Sequence, residues 1–224
     1  PGTGQGSLAG LAWLDLSTGQ FATRACADPQ AELARLAPAE LIVPEGHDGA
    51  GTPRPAGDFS PTRGEARLKA RFGVATLDGF GKFTPQEIAA AGALLAYVEA
   101  TAKAAVPLLS PPRPELPGST MAIDAATRIS LELARATSKS SLEAAIDRSV
   151  TAAGARLLAE DIAAPLTDAH AINARLDLVQ WFHDAPLVRS RSRETLKAMP
   201  DIARALGRLA IGRWSPRDLG QLQT

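Results

Sequence analysis

The sequence predicts an α/β domain followed by an all-helical one, and three observations carry that expectation. Extended apolar runs fall in the first half, as in residues 8–14 (LAGLAWL) and 40–43 (ELIV). The second half instead repeats a short polar cap followed by apolar residues at helical spacing. Between them, residues 107–118 (PLLSPPRPELPG) hold five prolines, which lack the donor that a helix or ladder needs. The expected organisation is therefore an α/β domain over 1–106, a Pro-rich linker over 107–118 and an all-helical domain over 119–224.

Each element has a local reason. The run at 8–14 ends at Asp15, and Ser17-Thr18-Gly19 supplies a turn into a second extended run, which predicts a hairpin. Asp28 caps a helix with Pro29 at its first position and Leu33 and Leu36 on one face, stopping by Pro38. Residues 40–43, closed by Pro44, predict a short buried strand, and 46–58, rich in Gly, Pro and Asp, predict a loop. Ser60-Pro61 opens a helix that carries Leu68 and Phe72 and ends at Gly73. Residues 79–81 (GFG) predict a turn. Thr84-Pro85-Gln86-Glu87 is a capping box, followed by Ile88, Ala91, Leu95, Val98 and Ala102 at helical spacing.

In the second half Asp124 caps a helix whose expected buried positions are Ile129 and Leu133. A second capping box begins at Ser140 and reaches Glu143. Thr151 starts a helix through Leu157, Leu158 and Ile162 to Pro165. Thr167 or Asp168 starts another, with Ile172, Leu176, Val179 and Phe182 on one face. Helices over 186–198 and 201–211 follow, and Ser215-Pro216-Arg217-Asp218 starts a last one. The chain begins PGTGQGSL, without an initiator Met, and stops at QLQT inside that helix; it reads as a piece of a longer protein.

Composition narrows the function classes. At 224 residues the chain can bury one or two cores. No run approaches the roughly 20 apolar residues of a membrane span. Formal net charge is zero, so no global field draws the chain to nucleic acid or to a membrane. The single cysteine, Cys26, leaves no internal disulfide and no Cys-rich metal site, in keeping with a reducing cytoplasm. It sits in an Ala-rich run beside Arg24 and reads as a packing thiol.

Catalytic motifs are sparse. No phosphate-cradling G-x-x-x-x-G-K-[ST], no G-x-G-x-x-G after a strand and no H-E-x-x-H occurs. His47, His170 and His183 have no partner at ligand spacing. Ser17 and Ser141 lie near no base that would activate them. Asp15 is the one carboxylate in a suggestive place, since ribonuclease H-like nucleases put a metal carboxylate at the end of an apolar first strand. Two-metal chemistry needs several carboxylates, and Asp78 and Glu87 are the conceivable partners; the plainer role for Asp15 is to hold its own turn. Between Arg189 and Arg217 stand eight basic residues against Glu194 and Asp201. Arg189, Arg193 and Lys197 share a helix face, as do Arg204 and Arg208. These five make either a basic docking face for phosphate or an acidic partner, or a face solvated or paired within the protein.

The words LAGLAWLDLSTGQF, LARLAPAELIVPE and AAGALLAYVEAT resemble, in that order, the connector domain of the MutS family of DNA mismatch repair proteins. MAIDAATRISLEL, LEAAIDRSVTAAGARLL, APLTDAHAINARLDLV and MPDIARALGRLAIGRWSPRDLGQL are similar to the first part of the family's core (lever) domain. The resemblance covers nearly the whole chain. Departures are local: the family usually carries Asn where Ser130 stands, Met at Ala153, Trp at Asp161 and a Gly near Ser140.

The resemblance implies a ribonuclease H-like connector fold without nuclease activity. It implies a structural role: joining domains, transmitting nucleotide- and DNA-dependent motion, and offering a surface to the partner MutL. No enzyme activity, metal or cofactor is expected of this stretch; ATP and magnesium are expected only of the full-length protein, a DNA-dependent ATPase. The implied partners are the remaining MutS domains, MutL, a second MutS copy and mismatched duplex DNA through the full-length protein, in the cytoplasm and away from membranes. Two readings from other classes stand beside it: a metal-dependent nuclease built on Asp15, and a free-standing nucleic-acid-binding module using the basic residues from Arg189 to Arg217.

Overall fold

A computed structural model describes residues 8–102, 108–133 and 141–222. The chain forms two compact units that do not follow a single cut in the sequence. The first contains Pro1–Pro29, Pro38–Pro117 and Ala203–Asp218; the second contains Gln30–Ala37, Gly118–Ile202 and Leu219–Thr224.

In the first unit, strands β1 (Ala9–Asp15) and β2 (Gln20–Cys26) form the expected antiparallel hairpin, pairing from Ala9 with Cys26 to Asp15 with Gln20. The Pro-rich stretch is more than a spacer. Its Arg113–Pro114 segment adds to the other side of β2 as a parallel strand, β5, after β3 and β4 described below. Proline is tolerated there because the donors come from its neighbours, and edge strands accept proline. Glu115 N donates to Thr23 O at 2.7 Å and Ser110 N to Gly19 O at 2.8 Å. β3 (Ile42–Pro44) lies where a strand was expected, and it pairs in parallel with β4 (Thr52–Arg54). The 46–58 stretch is thus not all loop: it contains β4, and a 3-10 turn at Ala56–Phe59 follows it. Gly and Pro density marked the breaks but hid a three-residue strand satisfied by its partner.

Helix α3 (Pro85–Thr101) packs on β1 and β2 of the three-stranded sheet, and α2 (Pro61–Phe72) packs on α3. Ser60 caps α2 and left-handed Gly73 closes it, as the sequence indicated. Thr84 and Glu87 form both halves of the capping box on α3. Phe21, Leu68, Leu77, Ala91, Leu95 and Leu109 form the buried core, with Phe72 and Phe80 edge to face at 5.6 Å. The small residues of α3 decide how close its neighbours come: a Cβ on Gly92 would overlap Gly64 Cα of α2. Helix α9 (Ile202–Ala210) also belongs to this unit from Ala203 onward.

The second unit takes helix α1 (Pro29–Leu36) from position 30 onward, although β2 precedes it and β3 follows it in sequence. Its other helices are α4 (Ala125–Ser130), α5 (Leu142–Ile146), α6 (Ala152–Ala163), α7 (Ala169–Asp184) and α8 (Pro186–Ala198). Side-chain caps start four of them. Asp124 accepts from Thr127 N at 2.9 Å, Ser141 from Ala144 N at 3.2 Å, Thr151 from Gly154 N at 3.0 Å and Asp168 from Ala171 N at 2.7 Å. The α5 cap is Ser141; Ser140, where the capping box was placed, lies outside the described residues.

The expected core of α4 is corrected. Ile129 is 78% exposed and Leu133 half-buried, while Arg128 is the residue that goes inside, at 3% exposure. Its guanidinium donates to Ala163 O at 2.5 Å and Ile123 O at 3.2 Å, so α4 turns Arg128 inward to satisfy a carbonyl at the end of α6 and one just before α4 itself. Helix α10 (Pro216–Leu222) starts in the first unit and passes into the second. No helix among the described residues is long and apolar enough to cross a membrane.

Candidate functional site

Asp15 ends β1 at the entrance of the hairpin turn. Its Oδ1 accepts from the Ser17 amide at 2.8 Å and the Ser17 hydroxyl at 2.7 Å, and its carbonyl accepts from the Thr18 and Gly19 amides. Partial burial works against ionisation, but these bonds from Ser17 and Thr18 outweigh it and hold the carboxyl below the usual range. An acceptor committed to its own turn in this way has a structural use. The partners that a nuclease would need do not support one. Asp78 sits in a 3-10 turn at the mouth of an open cleft lined also by Glu65, Lys69 and Phe83. Glu87 is buried under β2. Among the described residues no group of three or more His, Cys, Asp or Glu could hold a metal ion.

Glu87 is where the first unit is tied together. It is 4% exposed. One carboxylate oxygen accepts from the Thr23 hydroxyl of β2 at 2.9 Å. The other accepts from the Thr84 amide and the Thr84 hydroxyl, both at 2.9 Å. The capping box that the sequence displays therefore doubles as a strand-to-helix link. The next residue on β2, Arg24, is also buried and pairs with Glu115 at 2.7 Å. That pair fastens the residue after β5 to the sheet. Neither link shows in the sequence, because Thr23 and Glu115 carry no pattern until the topology places them.

The five basic residues divide between the units. Arg189, Arg193 and Lys197 follow each other at four-residue steps along α8, in the second unit; Arg204 and Arg208 do so along α9, in the first. Most have structural partners nearby. Arg189 donates to the carbonyls of Phe182 at 2.9 Å and His183 at 3.1 Å, satisfying the end of α7. Arg193 donates to Arg148 O at 2.9 Å. Lys197 pairs with Glu194 at 2.8 Å. Arg208 pairs with Asp218, which also accepts from the Ser215 amide and hydroxyl at 2.8 and 2.9 Å. Those partners hold the Asp218 carboxyl far below its ordinary range, the Arg208 guanidinium foremost. Arg204 is exposed.

Two further features come from the tertiary structure. Arg156 of α6 grips Asp201 with two bonds, at 2.7 and 3.1 Å, the planar fork that arginine makes with a carboxylate. The apolar side of α7 and α8 faces outward: Leu176, Val179 and Trp181 are exposed, and Leu187 is 80% exposed. Exposed large apolar residues gathered on neighbouring helices are a feature of surfaces that meet protein. Cys26 is half-buried at the end of β2. His183 contacts Asp184 at 3.1 Å on an open surface.

The family model of MutS domain II matches residues 3–110, and that of MutS domain III matches residues 126–224. The DNA mismatch repair protein MutS of Erythrobacter litoralis (strain HTCC2594) is 49% identical over 222 residues, covering 96% of this chain and 25% of that protein. MutS of Azorhizobium caulinodans is 47% identical over 230 residues, covering 95% of this chain and 25% of its own length. MutS of Rhodopseudomonas palustris (strain BisA53) is 46% identical over 239 residues, covering 99% and 26%. The chain thus spans about a quarter of the length of the curated relatives it matches. With two domain models matched in succession and identity near one half along almost all of its length, the chain belongs to the MutS family of DNA mismatch repair proteins, of which it carries domain II followed by domain III.

Proposed function

We propose that this chain is the connector and core scaffold of a mismatch-recognition protein. In this reading domain II is a ribonuclease H-like connector without nuclease activity. Domains II and III together carry nucleotide- and DNA-dependent motion between the other MutS domains and offer a surface to MutL. The longer protein works in the cytoplasm, as a homodimer, on mismatched duplex DNA. Its ATP and magnesium chemistry belongs to a domain other than these two. The observation that carries the reading is the succession of MutS domains II and III over one chain. The chemistry of the described residues agrees with it: buried charges such as Glu87, Arg24 and Arg128 are spent on holding elements together. We assign the outward apolar side of α7 and α8 to contact with further parts of the longer protein.

Charge sets what this chain does with DNA on its own. Residues 1–118 carry 10 Lys and Arg against 12 Asp and Glu, and residues 119–224 carry 14 against 12. Neither is a polycation. Contacts from α8 would neutralise a few phosphates, each contributing about −0.9 to the log–log salt slope, and phosphate contacts position a protein without reading bases. The test is a salt titration of binding to matched and mismatched duplexes. Binding is expected to be weak, equal for the two, and gone by about 200 mM salt, where such contacts fade steeply. It is also expected to fall when Arg189, Arg193 and Lys197 are replaced by Ala together. Tight, salt-resistant binding that favours the mismatch would place recognition within this chain and defeat the assignment.

A further inference from the structure

The Asp15 turn lies in the stretch matched by MutS domain II, and α9 lies in the stretch matched by domain III. From Ala203 onward α9 nevertheless belongs to the same compact unit as the turn, and the two meet backbone to backbone. Gly207 is buried, and a Cβ added to it would stand 2.8 Å from the Ser17 carbonyl oxygen and 3.6 Å from the Ser17 carbonyl carbon. Backbone atoms cannot swing aside as the tip of a side chain can, so glycine is what permits the approach. The Ser17 carbonyl is itself held in place. The Asp15 carboxylate accepts from the Ser17 amide at 2.8 Å and the Ser17 hydroxyl at 2.7 Å. The Thr18 amide shares a peptide plane with that carbonyl and donates to Asp15 O at 3.3 Å. At the far side of the turn a Cβ on Gly19 would overlap Leu108 O, and Ser110 N donates to Gly19 O at 2.8 Å. The helix is braced as well: Ala205 is fully buried, and Arg208 pairs with Asp218.

We propose that the Asp15 turn is the docking seat of α9, and that Asp15 is a positioning residue for it: its carboxylate fixes Ser17 so that the Ser17 carbonyl meets Gly207. The one carboxylate whose place in the sequence suggests metal chemistry then serves a contact between stretches of two MutS domains. A helix of the domain III stretch completes the hairpin end of the domain II stretch, and the seat accepts it only where the helix offers a residue without a side chain. Asp15 does not touch α9 in this account; it acts through Ser17, and the two ends of the contact depend on each other.

This contact does not depend on the scaffold reading, and its test needs neither DNA nor MutL, so the two can fail separately. Amide hydrogen exchange is followed by mass spectrometry on the whole chain, for the parent, Asp15→Ala and Asp15→Asn. In Asp15→Ala exchange is expected to rise several-fold at residues 16–19 and, with them, at 206–210 of α9, while α2 and the middle of α3 stay protected. Asp15→Asn keeps an acceptor for Ser17 and suits such a turn, so it is expected to restore protection at both places. Urea midpoints of Asp15→Ala, Gly207→Val and the double variant close a cycle. The double variant is expected to lose less than the sum of the two, because either change alone already breaks the same contact. A rise at 16–19 with α9 unchanged would show that Asp15 holds its own turn and nothing more. Additive losses would show that Asp15 and Gly207 act independently, and a uniform rise over the chain in both Asp15 variants would show that no selective seat exists; each result would overturn the proposal.

Discussion

Glu87 shows how much one buried carboxylate organises. It takes three donors from two elements, so removing it strands the buried Thr23 hydroxyl and the half-buried Thr84 amide. Glu87→Ala is expected to lower stability by about 2–3 kcal/mol, in the range of hydrogen bonds to a charged group. Glu87→Gln keeps one acceptor and is expected to cost less, both read from urea midpoints. Asp218 gives a pH test. Its folded pKa is depressed by Arg208 and Ser215, so its contribution is full above the ordinary carboxylate value near 4 and is lost as pH falls toward the folded value. Stability is therefore expected to drop on acidification, and Asp218→Asn is expected to remove part of that drop while loosening α9 and the start of α10 at neutral pH. Equal acid slopes for the parent and the variant would contradict the depressed pKa.

At the scale of elements, α2 and α3 cross where glycine meets glycine. A methyl group on Gly92 would occupy the space of Gly64 Cα. Gly92→Ala is expected to destabilise by about 1–3 kcal/mol through overpacking, although alanine is the better helix former by about 1 kcal/mol. A thermal melt decides the sign. Helix α9 makes a similar approach: Ala205 is fully buried, and a Cβ on Gly207 would come within 2.8 Å of the Ser17 carbonyl. Gly207→Val is expected to lift α9 from the hairpin turn and raise amide exchange at residues 16–19.

Caps and periods made most elements legible: the hairpin around Ser17-Thr18-Gly19, the Thr84 box and the Asp124, Thr151 and Asp168 starts all appear where local chemistry puts them. Short strands did not, because β4 and β5 are made by their partners rather than by their own residues. Burial in the second unit was misread at Ile129 because apolarity alone does not say which side of a six-residue helix turns inward. Arg128 wins that place by reaching the Ala163 carbonyl at the end of α6 and the Ile123 carbonyl before α4. The five basic residues were legible as a pattern along two helices, but the carbonyls and carboxylates that engage Arg189, Arg193, Lys197 and Arg208 come from tertiary structure and leave no mark in the spacing.

At the scale of the whole molecule, the two units do not divide the sequence cleanly. The second owns α1, from the middle of the first unit's sequence, and the first owns Ala203–Asp218, from near the other end. Each unit therefore includes a segment from the other's main stretch of chain. That division sets the most direct test. A specific protease site is introduced at Leu116, which is exposed at the close of the first unit's main stretch, and the chain is cut there and run on a native sizing column. The two pieces are expected to elute together at the size of the intact chain and to separate in urea. Separation under native conditions, with each piece still folded by circular dichroism, would show that the exchanged segments do not bind their units and would contradict the account.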